Sequence, residues 1–177
     1  MDKIILGDPL TRFPHLDNAA VLARLGQGAG KPTVAKRRTH WYIDEYDIHT
    51  HPDLVERMEE LCLDIPDVFK SAAYGYPILV TPSGVIFGYA TGTGFVALRL
   101  PARPEVGDVL SDLKADALGP DWVYLEVWKD ATTAVIPGLI RTSVDYVTST
   151  YPIGTTEVAS EPRLPWTASW KRSDNPS

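Results

Sequence analysis

Between Asp47 and His51 the chain reads Asp-Ile-His-Thr-His, ahead of Pro52 and Asp53. Alternate side chains of an extended segment project to one side, so Asp47, His49 and His51 have the types and spacing to grip one divalent metal ion. A full site of that kind needs more ligands. The remaining histidines are His15 and His40, so only His40, Asp44 or Glu45, all close in sequence, could complete it. A metal-dependent enzyme built on His49 and His51 is therefore the alternative reading. The adopted one is a solvent-exposed polar linker before a helix, with no cofactor expected.

Two glycine-rich stretches invite comparison with phosphate-binding loops. Gly26 to Thr33, GQGAGKPT, carries Gly-Lys, but Pro32 stands where the loop needs a hydroxyl for Mg²⁺, and Pro also lacks a backbone N–H. It reads as a flexible loop. Gly88 to Gly94, GYATGTG, is flanked by strand on both sides rather than by strand and helix, so a tight hairpin with positive φ at Gly92 and Gly94 is expected. Arg99 follows on the outgoing strand, facing opposite to Leu98 and Leu100. It is either a binder of carboxylate or phosphate or a solvated edge residue. Ser83 precedes Gly84 in a turn and lacks the flanking pattern of a nucleophile elbow. Asp116, Asp121, Glu126 and Asp130 show no calcium-loop spacing and read as a solvated face.

The elements that must position these residues follow from periodicity. Asp17 is placed to cap a short helix over residues 18–25. Residues 39–48 alternate as an edge strand or extended arm. Pro52 suits the first turn of a helix in which Leu54, Met58, Leu61, Cys62 and Ile65 recur at helical spacing up to Pro66. That pattern makes Cys62 a core residue. Residues 77–80, 85–90 and 95–100 read as antiparallel strands, the first two joined by a Thr-Pro-Ser-Gly turn. A helix over 108–118, a strand over 121–128 and a helix over 134–147 complete the core. The expected core residues are Leu54, Met58, Leu61, Ile78, Val80, Phe87, Val96, Leu98, Leu100, Trp122, Leu125, Leu139 and Val144.

In that order, the helix end Leu-Cys-Leu-Asp-Ile-Pro-Asp-Val (61–68), the Tyr74-Gly75-x-Pro77 step, Gly84-x-x-Phe87, Val96-Ala97-Leu98-Arg99-Leu100-Pro101 and Asp121-Trp122-Val123 resemble the YjbR/MmcQ family, a relative of the TfoX N-terminal domain. The resemblance spans residues 54 to 147. It implies an α+β fold, a small antiparallel sheet with helices packed on one face. It divides the chain into an N-terminal extension (1–52), a YjbR-like domain (53–150) and an extended C-terminal tail (151–177). Tyr74, Arg99 and Trp122 fall on the shared positions and stand as the candidate ligand-binding residues. Family members are often described as DNA-binding by analogy of fold, and fold alone does not fix function. Here Ser83-Gly84-Val85 replaces the Gly-Lys that relatives place in the turn, which removes a basic group.

Charge bears on the same question. Residues 1–52 carry seven Lys/Arg and six Asp/Glu, whereas residues 53–151 carry seven against fourteen. An acidic core repels a phosphate backbone, so nucleic acid is not the expected partner. The basic cluster Lys31, Lys36, Arg37 and Arg38 is the sole candidate for it. One cysteine excludes an internal disulfide framework. No apolar run approaches the roughly 18 residues of a membrane span, and the first ten residues hold too short a run for a signal peptide. A cytoplasmic binding or interaction domain without catalysis is expected. Its partner is a small molecule, another protein or a second copy of the chain. The aromatic arm (Trp41, Tyr42, Tyr46) and the tail (Trp166, Trp170) are expected to pack on the core or on a second copy.

Overall fold

The computed structural model describes residues 7–28, 41–43, 46–65, 68–104, 118–151 and 170–172. Its centre is a five-stranded antiparallel meander. In chain order the strands are β3 (Phe69–Ala73), β4 (Tyr76–Val80), β5 (Ile86–Thr91), β6 (Phe95–Arg99) and β7 (Trp122–Glu126), and the same order runs across the sheet. The protein is thus α+β. Two shorter strands precede the sheet, β1 (Trp41–Ile43) and β2 (Tyr46–Asp47), and β8 (Trp170–Arg172) follows it. The helices are α1 (Pro9–Arg12), α2 (Ala19–Gly28), α3 (Pro52–Cys62) and α4 (Asp130–Thr150), with a 3-10 turn at Leu16–Asn18.

Strand alternation gives the sheet two apolar faces. One carries Leu79, Phe87, Val96, Leu98, Val123 and Leu125, and is covered by Leu54, Met58 and Leu61 of α3 and by Ile136, Ile140 and Val144 of α4. The other carries Ile78, Val80, Ile86, Ala97, Trp122 and Tyr124, and is covered by Val21, Leu22 and Leu25 of α2 with Phe13 before it. Among the described residues of 53–150, the helices α3 and α4 lie on one face. The N-terminal segment supplies a helical cover for the second. Every expected core residue is buried except Leu139, which packs half-buried at the rim of α4.

Local chemistry sets the ends of these elements. Pro52 opens α3, and the His51 side chain caps it by accepting from the Asp53 N–H at 3.3 Å. The cap expected from Asp17 is not made. Instead Asn18 is fully buried, with Nδ2 donating to Phe13 O (3.3 Å) and Gly84 O (2.8 Å) and Oδ1 accepting from Ile86 N–H (2.8 Å). One side chain thereby fastens the start of α2 to the β4–β5 turn. α4 begins four residues before the expected Ala134 and tolerates Pro137 inside it. Thr133 Oγ1 donates to Val127 O at its start.

β3 was not expected, because Phe-Lys-Ser-Ala-Ala has weak strand propensity. Its partner and its edge guard lie elsewhere in the chain. It pairs with β4 from Phe69–Val80 to Ala73–Tyr76, and Arg12 caps its outer edge through Ala72 O (2.9 Å) and Ser71 Oγ (2.5 Å). The β3–β4 loop has two residues at positive φ, Tyr74 (52°) and Gly75 (80°), as a tight hairpin of twisted strands demands. Gly92 also has positive φ (63°), as expected. Gly94 does not, and its reason is different: a Cβ there would lie 2.7 Å from Trp128 Cδ1.

β1 pairs with β2 on one side and with β8 on the other, both antiparallel, so the arm and the tail form a small sheet of their own. Trp41 lies opposite Arg172, and Ile43 opposite Trp170. The helix expected over 108–118, apart from the buried Leu118, lies outside the described residues, as do Pro66, Trp166 and the Lys31–Arg38 cluster. No helix among the described residues is long and apolar enough to cross a membrane.

Candidate functional site

The Asp47–His51 run is laced into the fold rather than left in solvent. His49 N–H donates to Gly75 O (3.0 Å), Gly92 N–H to His49 O (2.9 Å), and His51 N–H to Gly92 O (2.7 Å). Thr50, 2% exposed, donates from Oγ1 to Ala90 O at 2.8 Å. The exposed-linker expectation is therefore corrected for His49 and Thr50. The His49 ring stacks on Tyr76, with centroids 4.8 Å apart and planes 15° from parallel. His51 faces the N-terminus of α3 and is exposed. Asp47 sits in β2, with its backbone opposite Tyr42. The two imidazoles thus have different tasks, stacking and capping. Among the described residues no group of three His, Cys, Asp or Glu side chains is placed to hold a metal ion.

The three candidate ligand-binding residues separate into two places. Tyr74 occupies the β3–β4 turn at one edge of the sheet. Its ring meets Tyr46 edge-on (5.3 Å) and lies against Gly26 of α2. Arg99 and Trp122 are cross-strand neighbours at the opposite edge. Arg99 is 6% exposed, which overturns the solvated-edge reading. Its Nε donates to Asp121 Oδ2 at 3.0 Å and Nη2 donates to the Tyr151 hydroxyl. Its guanidinium carbon lies 4.4 Å from the Tyr151 ring centroid and 5.7 Å from that of Trp122. Tyr146 reaches the same Asp121 oxygen at 3.5 Å, and Ser143 Oγ donates to Arg99 O at 2.5 Å. Asp121 therefore belongs to a buried ion pair and not to a solvated face. Burial pushes the Tyr151 phenol up, against the opposing pull of Arg99.

Between these edges, aromatic rings bridge the sheet on the α2 face. Tyr76 meets Tyr89 edge-on (6.1 Å), and Tyr89 meets both Trp122 (5.9 Å) and Tyr124 (6.1 Å). The Tyr89 and Tyr124 hydroxyls hydrogen-bond each other. Burial first, and that hydrogen bond second, raise the Tyr89 pKa. Tyr89 stays neutral, and both rings act as interior packing.

A cleft of about 420 Å³ opens on the α3/α4 side, lined by Asp53, Glu56, Arg57, Glu60, Trp128, Asp130 and Thr133. Trp128 is 50% exposed yet fixed in place: Nε1 donates to Thr93 O at 2.7 Å, and the ring rests on Gly94. Four carboxylates face one guanidinium, Arg57, which is itself paired with Glu60 at 2.6 Å. Thr133, the hydroxyl on the wall, is committed to Val127 O. The arrangement can hold a cation against an aromatic ring, and it offers no activated nucleophile.

Sequence reasoning missed this cleft. A signal was present in DWVYLEVW, where alternation puts Trp122, Tyr124, Glu126 and Trp128 on one side. α2 covers the first two, whereas Trp128 lies past the last residue of β7. The acidic wall comes from α3, about seventy residues upstream, and its approach is a tertiary fact. Comparison of the chain with protein-family models, curated proteins and solved structures returns no match.

Proposed function

We propose that this chain is a non-enzymatic binding domain of the YjbR-like type, and that it receives a basic segment of a protein partner in the α3/α4 cleft. The observation that carries this reading is Trp128, a half-exposed indole held rigid by Thr93 and Gly94 beside Asp53, Glu56, Glu60 and Asp130. An exposed tryptophan that has already lost its rotamer freedom binds with little further entropic cost. Its ring face attracts an ammonium or guanidinium group. The helix–meander–helix order from α3 to α4 supports the family type.

Magnitudes decide what the partner must look like. A cation over an exposed ring contributes about 0.5–1 kcal/mol. An exposed ion pair adds about 0.2–1 kcal/mol. One lysine or arginine therefore reaches no better than roughly millimolar affinity, which corresponds to about 4 kcal/mol. A useful partner presents several basic residues along the acidic wall. The same wall, on a chain of net charge −6, disfavours a polyanion.

The test is a tryptophan-fluorescence titration with a lysine- and arginine-rich decapeptide, using a glutamate-rich decapeptide as control. Saturable quenching by the basic peptide is expected. It weakens with added salt and disappears in Trp128→Ala, whose fold is checked by circular dichroism. An identical response in Trp128→Ala, or none in either protein, rejects the reading.

A further inference from the structure

We propose that Arg99 forms the base of a second ligand site, a seat for a carboxylate at the corner where β6, β7 and the C-terminal end of α4 meet. The site is separate from the α3/α4 cleft and does not depend on its partner.

The inference begins with donor accounting. Arg99 has five N–H donors in a fixed fork. Nε is used by Asp121 and Nη2 by Tyr151, whereas Nη1 is buried with no hydrogen-bond partner among the described residues. A buried charged donor without an acceptor costs about 1–3 kcal/mol or more, so native structures rarely keep one idle. Most of the surroundings of this guanidinium are already built. Tyr151 lies over one part of it, Trp122 flanks it, and Asp121 with the Tyr146 hydroxyl holds its Nε side. A guanidinium fixed in this way has an orientation that a ligand need not supply.

Charge and geometry select the ligand class. Asp121 already balances Arg99, and the negative charge of Asp17 also reaches Tyr151, so a monoanion is tolerated better than a phosphate dianion. A planar carboxylate suits a planar donor fork. Tyr151 strengthens the match: its hydroxyl accepts from Nη2 and keeps its own proton to donate to the same anion. The raised pKa of that phenol keeps the proton in place.

Access runs past Tyr151, the residue that follows the last turn of α4. It is only half-buried, and its backbone (φ −121°, ψ 72°) has left the helix. The Tyr151 ring lies over the guanidinium carbon at 4.4 Å, so its half-exposed side is the solvent side of Arg99. Tyr151 is thus both the cover and one of the donors.

Sodium acetate is the probe, with sodium chloride and sodium phosphate at matched ionic strength as controls. The Arg99 Nε–Hε resonance in a ¹H–¹⁵N spectrum is the readout. The expected result is a saturable acetate-dependent shift that neither control reproduces. Tyr151→Phe, which keeps the ring and loses the donor, is expected to weaken acetate binding several-fold. Arg99→Lys, which keeps the charge and loses the fork, is followed through the Trp122 indole resonance. Binding there falls by about tenfold or more, as expected for the loss of a charge-assisted bond. Overturning results are no saturable shift with acetate, an equal response to chloride, or wild-type affinity in Arg99→Lys. Phosphate binding more tightly than acetate overturns the assignment to a carboxylate.

Discussion

Burial decides what Cys62 can do. The thiol sits at the end of α3 against the sheet, and desolvation pushes its pKa up to about 12, with the attraction of Lys70 opposing the shift. A thiol this far from ionisation is a poor nucleophile, so the native protein should react with Ellman's reagent only as it unfolds. The sign of the pH effect follows from linkage. The folded value lies above the thiol's ordinary value of 9.0, so the unfolded chain releases its proton first and stability declines as pH rises from about 9 toward 12. Urea midpoints measured across that window should fall less steeply in Cys62→Ala than in the wild type. Equal slopes would show that the thiol is solvated. Helical spacing alone placed Cys62 inside. Arg99 was only half legible: alternation with Leu98 and Leu100 gave its face, but its cover is Tyr151, which is 52 residues away in sequence.

Among the elements, α2 depends on Asn18 more than on any cap. Two backbone groups of the β4–β5 turn, Gly84 O and Ile86 N–H, have the Asn18 amide as their partner. Asn18→Ala should therefore cost about 2–4 kcal/mol, since each stranded buried group costs about 1–3 kcal/mol. Asn18→Asp should also be destabilising, because the carboxylate cannot donate to Gly84 O. Chemical denaturation measures both, and a loss below about 1 kcal/mol in Asn18→Ala would show that the turn is held by other contacts. The sequence marked α2 by its apolar period, and α3, β4–β7 and α4 likewise. It marked neither the role of Asn18 nor β3. An asparagine near a helix start reads as a cap or a turn residue in any sequence, and a Lys-Ser-Ala-Ala strand exists through its neighbours rather than through its own propensity.

For the whole molecule, the asymmetry of composition between core and ends resolves into two sheets. The arm and tail, aromatic and without helical period, pair with each other through β1 and β8, and the arm continues through Thr50 and His51 into α3. An isolated two-stranded ribbon is marginal in water, and a third strand makes the difference. Deleting residues 152–177 removes β8 and leaves β1–β2 alone. The expected result is loss of amide-exchange protection at Trp41 to Ile43, with protection retained at Leu98 and Leu125 in the central sheet. Each kcal/mol lost should lower Tm by about 2–4 °C at this chain length. Unchanged protection at β1 would mean that the tail strand contributes nothing to the arm. A truncated protein that loses the central-sheet protection as well would mean that arm, tail and core unfold as one cooperative unit, tied through the hydrogen bonds that join residues 49–51 to Gly75 and Gly92.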